Sequence, residues 1–369
     1  MTSELPTFGV EEEFLIVDPG TGELLPIGPE VVRLGRGADI DLQPELARHQ
    51  IETATSVHID LEGLLGDLRV MRRTAATHVE AGGGRLLAAG VPLTESGCGV
   101  AVVDEPRYMR IADEFGLVAR ELAVCGCHIH VAIENKDTAI QVSNYIRPWL
   151  PVLLALTANS AIYRNTLTGY ASWRSIVWQR WPVSGPPPFF HTTAEYDARV
   201  DLLLASGTIL DPRMVYWDVR PSAKYPTVEI RVSDVPLTAG ETAVLAGLTR
   251  ALVISALVSM RDGVPPPTLP DSALTAAYWK AARFGMNGDG FDPWTARSVP
   301  AGEQLSRLLD HLTPILTASG DRDLIHEILG TLLTTGNGAS RQLRSLQNGV
   351  PVPEIVAELS DATLDRVDV

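Results

Sequence analysis

The segment Thr7–Val17, TFGVEEEFLIV, restricts the possible folds most. Three consecutive glutamates, Glu11 to Glu13, sit inside an otherwise apolar run of strand-forming residues. On a β-strand alternate side chains share a face. Glu11 and Glu13 therefore point one way, with Gly9 leaving room beside them. Glu12 points the other way with Val10, Phe14 and Ile16. Paired carboxylates on one side of an apolar strand are unfavourable unless a cation sits there. A solvated edge strand is one reading, although such edges mix signs and favour Lys. The sharper reading is a set of hard oxygen ligands for a divalent metal such as Mg²⁺.

The same alternation recurs along the chain. Residues 28–44 read as irregular. In the stretch from Glu45 to Asp60, residues 51–59 alternate as a strand whose polar face starts at Glu52. Glu45 precedes it on a short helix or on the strand's lead-in. Asp60 suits the N-cap of a helix from Leu61 to about Gly82. Residues 86–90 form a short apolar strand and 110–123 a helix.

In Cys125–Ile133, CGCHIHVAI, the cysteines and β-branched residues share one face and His128 and His130 the other. Such a pair serves as metal ligands or as hydrogen-bonding groups. The cysteines, on the core side, read as small buried hydrophobes, with a Cys-x-Cys metal site as the weaker alternative. In Thr227–Ser233, Glu229 and Arg231 share a face. Taken alone, they read as a surface ion pair of little energetic value.

Residues 136–164 are helical with a break at Pro148 and Pro151. The segment Thr168–His191 combines tryptophans, Arg174, Arg180 and a Pro-Pro-Pro run. Stiff aromatic loops of this kind wall pockets, and arginines among them suit a carboxylate or phosphate. A buried aromatic cluster with stacked arginines fits equally. Residues 211–226 read as a long connection. From Gly240 onward the pattern is helical: 240–261, 271–284, 302–318, 321–335 and 351–360. Thr335–Arg341, TGNGASR, reads as a small-residue turn able to hold phosphate through backbone N–H groups and Arg341, though such turns also end ordinary helices.

A formal net charge of −15 argues against a nucleic-acid surface or a polybasic membrane patch. The three cysteines, Cys98, Cys125 and Cys127, suit a reducing cytoplasm better than a disulfide framework. No basic region followed by an apolar run opens the chain, so no signal peptide is expected. The apolar stretch Thr242–Met260 carries Arg250 and reads as a core helix. Walker-type loops, dinucleotide fingerprints and nucleophile elbows are absent from the sequence. Strands bearing polar groups, with long helices between and after them, predict an α+β fold. Its sheet is mostly antiparallel, with one face covered by helices and one concave face that carries the site.

The stretches TFGVEEEFLIVDP, QIETAT, LAVCGCHIHV, RPWLPVLLALTANS, TGYASWRSIVWQRWPVSGPPP and WDVRPSAKYPTVEIRVSD resemble carboxylate–amine ligases related to type 2 glutamate–cysteine ligases, in the glutamine synthetase-like superfamily. The resemblance covers nearly the whole chain and implies a single ligase domain over 1–369, with its helical part from about 240. It implies a funnel-shaped sheet, ATP and Mg²⁺, and amide formation through an acyl phosphate. It implies small-molecule carboxylate (amino acid) and amine substrates and, by analogy, a homodimer. By motif, Glu11, Glu13, Glu45, Glu52, His128 and Glu229 fall at metal-binding positions. Glu229 and Arg231 are then catalytic, Arg231 contacts substrate or phosphate, and Arg174 and His130 are substrate contacts. Where such ligases carry an Asp-Thr-Gly this chain has Leu167, and His58 replaces a common cysteine. The acceptor amine need not be cysteine, therefore. The alternatives are a metal-dependent amide hydrolase and a non-catalytic nucleotide- or metabolite-binding relative, the latter suggested by Leu167.

Overall fold

The structure is a computed structural model that describes residues 5–36, 40–95, 101–121 and 123–366. Cys98 and Leu122 lie outside the described residues. The central element is a seven-stranded sheet. Its strands are β1 (Phe8–Val17), β2 (Asp41–Pro44), β3 (Gln50–Ala54), β4 (Arg85–Leu87), β5 (Gly126–Ala132), β6 (Val219–Pro221) and β7 (Thr227–Asp234). They run in the order β6-β7-β5-β1-β3-β2, with β4 also on β1, and every pairing is antiparallel. β1 is central. One edge carries β3, and the other carries β5 along Phe8–Glu12 and β4 along Leu15–Val17.

One face of the sheet is apolar. Val10, Ile129, Val131, Val228 and Ile230 pack against helices Leu61–Ala81, Leu150–Thr157 and Ala239–Arg261. Burying such side chains contributes about 1.5–3 kcal/mol each. Helix Ala239–Arg261 is the one helix among the described residues long and apolar enough to cross a membrane. Here it is a core element, with Thr242 to Ala256 all buried.

Glu12 points into this helical layer, as the alternation on β1 predicts. Its carboxylate accepts two hydrogen bonds from Arg72, at 2.6 and 3.0 Å, and both side chains are 1% exposed. Arg72 also donates to the carbonyls of Pro236, Leu237 and Thr363. A buried charge with this many partners is satisfied, and the pair ties the sheet to its helices.

Where the sequence reading differs, short or edge elements are responsible. Residues 28–44 hold helix Gly28–Leu34 and edge strand β2. β3 stops at Ala54, His58 returns to β1 only as an isolated bridge to Phe8, and Val57 and Ile59 are 74% and 70% exposed, so alternation outlasts burial. Residues 110–121 fall into helices Pro106–Phe115 and Leu117–Glu121, separated by Gly116 at φ 56°, a backbone state that suits glycine. Residues 211–226 contain β6. Residues 335–341 lead into helix Gly338–Gln347, capped by the Asn337 side chain. Cys125 and Cys127 are free and buried.

Candidate active site

The opposite face of the sheet opens on a cavity of about 270 Å³. Register alone assembles its floor. Glu11 stands opposite His128, Glu13 opposite Glu52, and Glu229 opposite His130. Glu45 follows the last residue of β2 and also lines the cavity. The far wall is aromatic, with Trp178, Trp181 and Tyr216 belonging to a separate apolar cluster.

The acidic groups are close enough to share a cation. Glu11 Oε2 is 3.3 Å from His128 Nδ1 and 3.4 Å from His130 Nε2, and Glu13 Oε1 is 3.6 Å from His128 Nε2. Ligand atoms of Glu13, Glu52 and His128 lie within 4.8 Å of one another, as do those of Glu11, His128 and Glu229. The Nε2 atoms of His128 and His130 are buried without a hydrogen-bond partner. Hard oxygens with an imidazole fit Mg²⁺ or Mn²⁺.

The electrostatics of these carboxylates favour a positive charge among them. Burial first, then neighbouring Glu13, raises the Glu45 carboxyl to about 7. Burial and the charges of Glu45, Glu11 and Glu13 push Glu52 well above its usual range. Burial would raise Glu11 too, but the adjacent imidazoles of His128 and His130 bring it well below. The native state thus holds a proton on Glu45 between the unfolded value of 4.5 and about 7, and stability falls as pH rises through that window. Glu11, held low, titrates below it. If a cation takes the place of this proton, stabilisation by Mg²⁺ grows from about pH 4.5 to about pH 7. Urea midpoints with and without Mg²⁺ across that range check this. Groups such as His49 and Asp218 titrate alike in both series and cancel, and a pH-independent difference would count against a cation at Glu45.

Glu229 and Arg231 are not a surface pair. Glu229 is 3% exposed. Arg220 donates to both of its oxygens, at 3.0 and 3.1 Å, and Arg231 Nη1 donates to Oε1. Burial would raise this carboxyl, but Arg231 and Arg220 hold it well below the usual range. Arg220 was missed in the sequence, as were Arg107, Tyr108 and Lys224, which also line the cavity. The turn chemistry of Pro221–Pro226 marks a hairpin into β7 and could have placed Arg220 against Glu229.

Two expected contacts lie elsewhere. Arg174 is buried behind the wall, 4.0 Å from Asp234 and over the Trp178 ring. It fills the space a side chain at Gly126 would need, since a Cβ there would lie 2.3 Å from Nη2. Arg341 closes the turn before its helix, donating to Gly336 O at 2.9 Å and to Glu241 at 3.3 Å. Its position does not reach the cavity lining. Leu167 is 45% exposed on a two-residue strand, and His58 pairs with Asp67 at 2.8 Å. Neither lines the cavity.

An antiparallel sheet backed by helices on one face and open on an acidic cavity on the other defines an α+β fold. Two solved structures share the fold. A glutamate–cysteine ligase of Francisella tularensis in complex with AMP superposes with TM-score 0.69 at 11% identity, covering 97% of this chain and 89% of that one. A bifunctional glutathione synthetase of Pasteurella multocida gives TM-score 0.68 at 16% identity over 98% of this chain. The present chain spans 52% of that protein's length. The chain belongs to glutamate–cysteine ligase family 2, whose model matches residues 7–361. A relative from Nocardia farcinica is 52% identical over 98% of this chain and 94% of its own. One from Mycolicibacterium vanbaalenii is 49% identical over 98% and 99%. Both carry the provisional name of a glutamate–cysteine ligase 2.

Proposed function

We propose that the protein is an ATP-dependent carboxylate–amine ligase of glutamate–cysteine ligase type, acting in the cytoplasm on a small carboxylic (amino) acid and an amine. One observation carries the reading. The cavity brings Glu11, Glu13, Glu45, Glu52, Glu229 and His128 together with Arg220 and Arg231, and Arg231 Nη1 lies 3.2 Å from His128 Nδ1. A metal–triphosphate complex carries the complementary charges. Family membership favours this over an amide hydrolase. Leu167, exposed and away from the cavity, lends no weight to a non-catalytic relative.

In this reading Glu11, Glu13, Glu45, Glu52, Glu229 and His128 would hold Mg²⁺, which when bound neutralises the nucleotide's phosphates. Arg231 has a buried Nε without a partner and offers it to the transferring phosphoryl group. The acid's carboxylate attacks the γ-phosphorus and displaces ADP, giving an acyl phosphate. The amine then attacks the acyl carbon, phosphate leaves, and the amide forms after loss of a proton. His130, held by Thr227 Oγ1 at 2.9 Å, faces the cavity as a substrate contact. The chemistry needs no side-chain nucleophile.

A matrix of amino acids and amines, screened for ADP release with Mg²⁺, tests the assignment. Release that requires one acid and one amine together, with equimolar amide, is the expected result. ADP release from no pair, or amide cleavage without ATP, would overturn it.

A further inference from the structure

A second pocket, of about 200 Å³, lies among the helices. None of its lining residues lines the catalytic cavity. Ser255, on helix Ala239–Arg261, supplies a buried hydroxyl to it, and Trp149, Trp294 and His311 supply an aromatic wall. The wall is continuous. Trp294 meets Trp149 with ring centroids 4.5 Å apart. His311 stacks on Trp149 at 5.2 Å, with the planes 19° apart. His311 Nε2 lies 2.9 Å from Ser255 Oγ, so a polar pair ends the aromatic wall. Desolvation lowers the His311 imidazole below its ordinary value. The neutral ring therefore prevails near neutral pH, and the pair keeps both donor and acceptor capacity. Among the described residues the lining carries no carboxylate, ammonium or guanidinium.

The rims are pinned. Trp294 is 42% exposed, yet its turn is tied to buried Asp292. That carboxylate accepts from the Trp294 N–H at 3.0 Å, from Thr295 Oγ1 at 2.7 Å and from Arg307. Tyr145 Oη donates to the Val264 carbonyl, which fastens the proline-bearing segment 264–267 that closes another side. A large indole left open to solvent on a turn with this many ties is presented to a partner molecule, with little ordering left to lose on binding.

We propose that this pocket binds a small uncharged aromatic molecule bearing one hydroxyl or ring N–H. Its ring lies on the Trp149–Trp294 wall and its polar group meets the Ser255–His311 pair. An apolar cavity of about 150 Å³ takes benzene, so this one has room for a phenol with a small substituent. An uncharged lining disfavours the charged ligands proposed for the catalytic cavity, because their desolvation would go uncompensated. The pocket is independent of amide formation, and the two readings stand or fall separately.

Calorimetry on the intact protein, with phenol, benzene, cyclohexanol and tetramethylammonium as probes, tests it. Phenol is expected to bind with a Kd below about 1 mM, and benzene about threefold to tenfold more weakly, the difference one hydrogen bond makes. Cyclohexanol, which has the hydroxyl but no aromatic ring, should be about tenfold weaker than phenol. Trp294→Ala should weaken phenol and benzene alike by about tenfold. Ser255→Ala should bring phenol to the level of benzene and leave benzene unchanged. His311→Asn carries the same comparison if the serine variant fails to fold. Absence of saturable phenol binding, equal affinity for phenol and benzene in the parent, or tighter binding of tetramethylammonium than of phenol overturns the proposal. So does phenol binding that Trp294→Ala leaves unchanged, because the probe then sits elsewhere.

Discussion

Glu13→Gln is expected to lower ADP release by on the order of 10²–10³-fold while leaving the melting temperature unchanged or slightly raised. Glu13 Oε2 accepts a hydrogen bond from the Gly126 N–H at 2.6 Å, and a Gln carbonyl can keep it. The variant loses only the negative charge that faces Glu52 across the β1–β3 register. Removing one like charge from a crowded acidic group relieves repulsion in the protein without a cation, and it weakens the hold on the cation needed for phosphoryl transfer. Mn²⁺ calorimetry, steady-state ADP release and thermal melting together check this. Undiminished turnover would take Glu13 out of the cation site, and a collapse in melting temperature would make it a structural residue.

The neighbouring carboxylate should behave in the reverse way. Arg72→Met leaves Glu12 buried without its partner, and breaking such a pair costs about 3–5 kcal/mol. The loss should appear as a lower urea midpoint, with Mn²⁺ binding retained by the folded protein. Glu12→Leu combined with Arg72→Met removes both charges and should recover most of the loss, since apolar packing can replace a buried ion pair. Equal stability of Arg72→Met and the parent would show that the pair does not fasten the sheet to its helices. Adjacent glutamates on one strand thus face the cavity and the helical layer in turn, because a strand's side chains alternate between its two faces.

Helices were legible where they were long and capped. Asp60 before the leucine repeat and the run after Thr238 both give helices close to their expected bounds. What escaped was short. β6 spans only Val219–Pro221, too few residues for a period-two pattern to stand out from a loop. Because β6 was read as connection, Arg220 had no partner, and Glu229 and Arg231 looked like a weak surface pair. Arg174 misled for a different reason. An arginine among tryptophans has the same local sequence whether it faces a pocket or the back of its wall.

By itself the sequence determined which side chains share a face: Glu11 with Glu13, Glu12 against them, His128 with His130, and Glu229 with Arg231. Alternation is a local property of each strand and needs no knowledge of neighbours. Only the tertiary structure decided which strands lie side by side. That arrangement put Glu52 and His128 next to the β1 carboxylates, gave Glu229 two arginines, and left Arg174 and Arg341 outside the cavity. Strand order is set by packing of the opposite, apolar face against the helices, and a single strand's pattern does not encode it.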